Sequence, residues 1–199
     1  MSAERGPFAN LTGTYRVICM DAPHKFAAGT KGRPQHYKRM TDAEIAALPV
    51  RSLADPTGCW LLFWTTGPKL PKAFEIARAY RFRYSAVGFI WVKTHMRFGR
   101  GGIPLFLPRD CFHKGMGYTT RKNAEICLLF RIGRPKRLSK SVAELIVAPR
   151  REHSRKPEEF YESVQAFAPG PYLEIFGRES RPGWTVWGDE AQKFDRVAA

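Results

Sequence analysis

No stretch of this sequence approaches the roughly 18 consecutive apolar residues that a membrane-spanning helix needs. No N-terminal segment joins basic residues to an apolar stretch of signal-peptide length. These absences point to a soluble protein with no membrane partner, working in the cytoplasm where it is made. Cysteine is scarce: Cys19, Cys59, Cys111 and Cys127 are widely spaced and no two form a C-x-x-C pair, which excludes a disulfide scaffold or a zinc knuckle as the basis of the fold. Cys111 and His113 in "RDCFHKG" make only a two-ligand cluster, so no metal is expected. Repeats and low-complexity tracts are also missing. Acidic residues are few, with eighteen Asp plus Glu against thirty-three Lys plus Arg, a net charge of +15 spread along the chain. A polyanionic partner follows, and nucleic acid is favoured over a membrane surface because no basic amphipathic helix or lipidation signal stands out.

What the sequence does contain is enough apolar material, 44% of 199 residues, to bury a core without staples. Length favours a single domain spanning residues 1–199, with basic loop insertions at about 25–40 and 95–120. "VICM" (17–20) and "CWLLFWTT" (59–66) read as fully buried strands, and "AVGFIWVKT", "AEICLLFRI", "ELIVAP" and "YLEIF" continue the series. Between them lie helical patterns. "TDAEIAALP" opens with Thr41 and Glu44 in capping-box spacing, "KLPKAFEIARAY" places Leu70, Phe74 and Ala77 on one face, and Phe160, Val164 and Phe167 form a stripe after Pro157. Strands alternating with helices of about ten residues predict an α/β fold, a mostly parallel sheet with helices on both faces.

In such sheets ligands bind beyond the carboxyl ends of the strands. Asp21 stands at such an end, as do Lys93 and the pair Gly177 and Arg178. By position alone Asp21 is read equally well as a turn cap and as a ligand-site carboxylate.

The blocks "ICMDAPHKF", "LLFWTTGPKLPKAFEIARAYRFRY", "FIWVKT", "IVAPRREHSRKPEEFYE" and "PGPYLEIFGRESRPGWTVWGDE" resemble, in order, the MT-A70 family of S-adenosylmethionine-dependent adenine-N6 methyltransferases, most of all its small bacterial and phage members that act on DNA. The resemblance runs over about residues 8–194. It implies a Rossmann-like methyltransferase sheet in permuted motif order, with the catalytic motif early and the strand next to the cofactor late. It also implies methyl transfer from S-adenosylmethionine to the N6 amino group of adenine in DNA, in a bacterial host's cytoplasm if the chain is phage-encoded. The family's Asp-Pro-Pro-Trp motif corresponds here to Asp21, Ala22, Pro23 and His24. In that motif a carboxylate oxygen and a backbone carbonyl accept the two amino protons, and an aromatic ring stacks near the base. Asp21 and Pro23 match; Ala22 and His24 depart from it.

For the cofactor the resemblance points to Asp21, Lys156, Phe176, Gly177, Arg178, Asp189 and Glu190, with Asp189 standing where relatives commonly carry Asn. For nucleic acid, a duplex with a flipped adenine, the basic stretches offer Lys25, Lys31, Arg33, Arg97, Arg100, Arg134, Lys136, Arg137 and Lys140. A homodimer or a second subunit supplying DNA contacts is compatible with the family. The broken motif keeps open a methyltransferase-fold nucleic-acid-binding protein with weak or no activity, and an RNA adenine methyltransferase is a separate alternative.

Overall fold

The computed structural model describes residues 6–26, 38–95, 111–115, 119–152 and 154–195. Lys31, Arg33, Arg97 and Arg100 lie outside the described residues. Seven strands form one sheet: β1 (Val17–Met20), β2 (Gly58–Thr65), β3 (Arg83–Thr94), β4 (Ala124–Gly133), β5 (Leu145–Pro149), β6 (Tyr172–Ile175) and β7 (Trp184–Trp187). Their order across the sheet is β5-β3-β4-β2-β1-β6-β7. β1 is parallel to β2 and β6, β6 to β7, and β3 to β5, whereas β4 is antiparallel to both its neighbours. The mostly parallel α/β sheet expected from the sequence is borne out.

Residues of β1 alternate between two cores, as strand geometry requires. Ile18 and Met20 pack with Ile45 of helix α1 (Asp42–Ala46) and with Ala73, Ile76 and Ala77 of α2 (Leu70–Ala79). Val17 and Cys19 pack on the other face with Phe160, Tyr161 and Val164 of α3 (Glu158–Phe167). Helices thus cover both faces, and every residue of β1 and β2 is buried, which explains their unbroken apolar runs. The capping box forms as read: the Glu44 N–H donates to Thr41 Oγ1 at 3.2 Å, and the Thr41 N–H donates to Glu44 Oε2 at 2.6 Å.

Two features differ from the expectation. β4 runs against the rest of the sheet, antiparallel to both β2 and β3. The short edge strand β7 has only partly buried residues beyond Trp184, so its period is weak. Its tryptophans cover the sheet edge: Trp184 stacks on Tyr172 at 4.8 Å, and Trp187 meets Phe8 edge-on at 4.7 Å. Among the described residues, no helix is long and apolar enough to cross a membrane.

The sheet order brings the early strand β1 beside the late strand β6. Chain order is permuted relative to space, and residues some 150 positions apart share one edge, since Met20 pairs with Ile175.

Candidate active site

The carboxyl edge of the sheet collects the chemistry. Asp21 leaves β1 there, Phe176-Gly177-Arg178 leave β6, and Gly188-Asp189-Glu190 leave β7. Glu125 arrives at the same edge because β4 runs backwards, and Lys93 stands near the end of β3. Lys156 lies just before α3, where Pro157 at the helix N-cap fixes an extended backbone.

A chain of alternating charges links these ends. Lys156 Nζ donates to Asp21 Oδ2 at 2.8 Å and to Glu125 Oε2 at 2.8 Å. Lys93 donates to the other Glu125 oxygen, Oε1. Lys156 is 3% exposed, with its ammonium 4.8 Å from the centre of the Trp64 ring. Burial opposes the Lys156 charge, but Asp21 and Glu125 outweigh it and hold its pKa above the ordinary lysine value. Burial likewise raises the Glu125 carboxyl, and Lys156 with Lys93 overcome that and bring it down to about 2. One oxygen of Asp21 is thereby clamped by the buried ammonium.

Asp21 also lines a cavity of about 240 Å³, together with Pro23, Phe176, Gly177, Arg178, Asp189 and Glu190. Residues that the resemblance assigned to adenine and to cofactor therefore share one cavity; Lys156 reaches it through Asp21. Arg178 is 8% exposed, pairs with Glu190 Oε2 at 2.7 Å and lies 4.9 Å from the Phe194 ring centre. Phe176 adopts φ +65°, a conformation that costs a bulky residue roughly 1–2 kcal/mol. Its N–H is held by the Trp187 carbonyl at 2.6 Å. Gly177 has no room for a side chain, since a Cβ there would approach Val186 Cγ1 to 2.4 Å and Glu174 Oε2 to 3.1 Å. Arg178 and Glu190 offer a guanidinium that can donate to a carboxylate and an acceptor for sugar hydroxyls, the complement of the carboxylate and ribose of S-adenosylmethionine.

His24 sits differently from a stacking platform. Its ring is 8% exposed, lies 6.3 Å from Phe63 with 19° between planes, and has Nδ1 2.8 Å from Asp42 Oδ1. Lys69 Nζ donates to both Asp42 oxygens at 2.8 Å. Burial raises the Asp42 carboxyl, and the Lys69 and His24 contacts more than reverse this, leaving it below the usual value. The segment after Asp21 is tied down by backbone as well. The Ala22 carbonyl accepts from the His24 N–H at 2.9 Å, and the Pro23 carbonyl accepts from the Met40 N–H at 2.8 Å. Each carbonyl retains a second lone pair.

Glu174 of β6 carries no sequence signal beyond being a carboxylate in an apolar strand. It is 9% exposed, and its Oε1 accepts the Tyr161 hydroxyl hydrogen at 2.8 Å. Burial pushes its pKa up to about 7, partly countered by that hydrogen bond. Because the folded value lies above the unfolded value of 4.5, the native state binds the extra proton, and this group's contribution to stability is present at low pH and is lost as pH rises from about 4.5 to 7. Glu174→Gln keeps the acceptor and removes the titration. We expect the stability of the variant relative to the wild type to rise by up to about 3 kcal/mol between pH 5 and 8, read by urea denaturation. A constant difference across that range contradicts the assignment.

Lys25 is exposed, 4.0 Å from Glu44. Arg134, Lys136, Arg137 and Lys140 follow the end of β4, at the opposite edge of the sheet from Asp21, because Gly133 pairs with Gly58 at the start of β2. The structure does not bring them to the cavity. Sequence reasoning missed Glu125, Asp42 and Glu174. Only Asp42 had a signal, its place after the Thr41 cap.

The profile of the MT-A70 family matches residues 15–190. The chain is 27% identical over 157 residues to the Type II methyltransferase M.MunI of a Mycoplasma species, covering 77% of this chain and 59% of that protein. It is 30% identical over 196 residues to the human N(6)-adenine-specific methyltransferase METTL4, covering 96% of this chain and 40% of the relative. Against the human N(6)-adenosine-methyltransferase catalytic subunit METTL3 the identity is 29% over 188 residues, covering 91% and 29%. The chain thus spans less than two thirds of the length of each of these relatives.

Proposed function

The chain belongs to the MT-A70 family of N6-adenine methyltransferases, and from that premise we propose that it transfers a methyl group from S-adenosylmethionine to the N6 amino group of adenine in DNA. The observation that carries the reading is Asp21: a carboxylate at a strand end, clamped by Lys156, on the wall of the cavity that Arg178 and Glu190 also line.

Bound S-adenosylmethionine supplies an electrophilic methyl on a sulfonium. Arg178, with Glu190 setting its direction, would receive the donor's carboxylate, and Glu190 or Asp189 would accept from its sugar hydroxyls. The free oxygen of Asp21 accepts one N6 hydrogen and the carbonyl of Ala22 or Pro23 the other, which localises the nitrogen lone pair out of the ring. The N6 proton that methyl transfer displaces would pass to Asp21 or, through it, to water. Lys156 holds one Asp21 oxygen in place, and orientation supplies much of the acceleration. His24, held by Asp42, braces the loop that carries these carbonyls. Stacking on the flipped adenine therefore falls to another ring. We place this activity in a bacterial cytoplasm.

DNA is the reading because the sequence blocks most resemble small bacterial and phage members acting on DNA. RNA is the second reading, favoured by similarity to proteins named as adenosine methyltransferases. Incubation with methyl-tritiated S-adenosylmethionine and, separately, plasmid DNA and transcribed RNA discriminates them. Label in DNA supports the proposal, and label in RNA alone replaces it with the second.

A further inference from the structure

Much of the positive charge around the cavity is paired within the protein. Lys69 pairs with Asp42, Lys93 and Lys156 with Glu125, Arg181 with Glu158, Arg155 with Glu179, and Arg178 with Glu190. At the amino edge of the sheet the pattern inverts. Arg83 of β3 and Arg131 of β4 stand directly opposite each other in the antiparallel ladder. Their Cβ atoms are therefore about 5 Å apart, an unfavourable facing of like charges unless an anion lies between them.

Both share a row with Trp60, whose ring belongs to the core under α3, so both project on the α3 face. The segment after β4 folds over that same face: Trp60 Nε1 donates to the Lys136 carbonyl at 3.0 Å, and the Leu138 N–H donates to the carbonyl of Phe167, the last residue of α3, at 2.8 Å. It presents Arg134, Lys136, Arg137 and Lys140 on the face where Arg83 and Arg131 project, all six exposed. Among the described residues none of the six is in an ion pair.

We propose that this face binds the phosphodiester backbone of nucleic acid at a place separate from the cavity, so that the protein grips its polymer substrate at two points. The proposal rests on the reading of nucleic acid as the substrate, and gives it a second contact. A backbone with one charge every ~1.7 Å of duplex axis is the repeating polyanion that suits a row of cations without carboxylate partners. An acidic protein surface would need apolar area to bury, and Leu138 is the large apolar side chain that this segment exposes. Six residue rises along the strands separate the Gly133 row from Asp21, or ~20 Å, so one nucleotide cannot occupy both places.

The test is equilibrium binding without methyl donor, by fluorescence anisotropy over a range of salt, on labelled duplex DNA of roughly 24 base pairs and on RNA of the same length. Arg83→Gln with Arg131→Gln is expected to flatten the slope of log K against log salt for duplex DNA by about 2, and neutralising Arg134, Lys136, Arg137 and Lys140 by about 3–4. Lys72→Gln with Arg78→Gln, exposed on α2 at the other face, removes two charges as a control and is expected to leave the slope unchanged. Unchanged slopes in the first two variants, or an equal fall in the control, overturn the proposal. The DNA and RNA arms show which backbone the face prefers. Binding is read independently of transfer, so a protein that binds in this way and methylates nothing loses the proposed reaction and keeps the second contact.

Discussion

Asp21→Asn is expected to lower the rate of methyl transfer by on the order of a thousandfold, while affinity for nucleic acid without methyl donor stays that of the wild type. Asparagine preserves the shape and can still accept one hydrogen bond through its carbonyl. It carries no charge, cannot take the proton that N6 must release, and leaves Lys156 facing a neutral group in a buried site where Asp21 now lies 2.8 Å away. The loss should therefore appear in kcat far more than in KM for either substrate, as for an interaction realised in the transition state. Activity that survives the substitution removes Asp21 from the chemistry.

Lys156→Met is expected to destabilise the fold by roughly 3–5 kcal/mol, since it leaves Asp21 and Glu125 as carboxylates at a buried junction with the shared ammonium gone. For a chain of this size that corresponds to a fall in Tm of roughly 10 °C. Methionine fills most of the lysine volume, so lost packing is the smaller part. The penalty depends on pH with a definite sign. In the wild type Glu125 stays ionised down to about 2, against 4.5 when unfolded, so its contribution is fully present above pH 4.5 and is lost as pH falls through 2. The variant keeps only Lys93 as the partner of Glu125, so that carboxyl protonates at higher pH and the gap to the wild type narrows on acidification. Thermal melts of both proteins at pH 7 and near pH 3 check this; a gap that is equal or wider in acid contradicts it.

Much of this arrangement was legible in the chain. The apolar runs of β1 and β2 announce strands buried on both faces, and Asp21, next after β1, is readable as standing at the carboxyl end of the sheet. The Thr41 and Glu44 box is local chemistry, so its spacing suffices to locate it. What could not be read is pairing across distance. Lys156 looks like a solvated lysine before a helix until β4 is seen to run backwards and deliver Glu125 to its ammonium. A strand's periodicity carries no direction, so the sequence offers no hint of that meeting. His24 likewise reads as a loop residue available to a base, and only the fold brings Asp42 beneath it. The basic stretch 134–140 shows the same limit: its charge is evident in the sequence, but which end of the sheet it occupies follows from the direction of β4.

The central claim is that the cavity beside Asp21 methylates adenine at N6, and nucleoside mass spectrometry of DNA incubated with the protein and S-adenosylmethionine tests it most directly. The account predicts N6-methyladenine accumulating one-for-one with S-adenosylhomocysteine in the wild type and its near absence in Asp21→Asn. S-adenosylhomocysteine without N6-methyladenine, or N6-methyladenine made equally by both proteins, would contradict it.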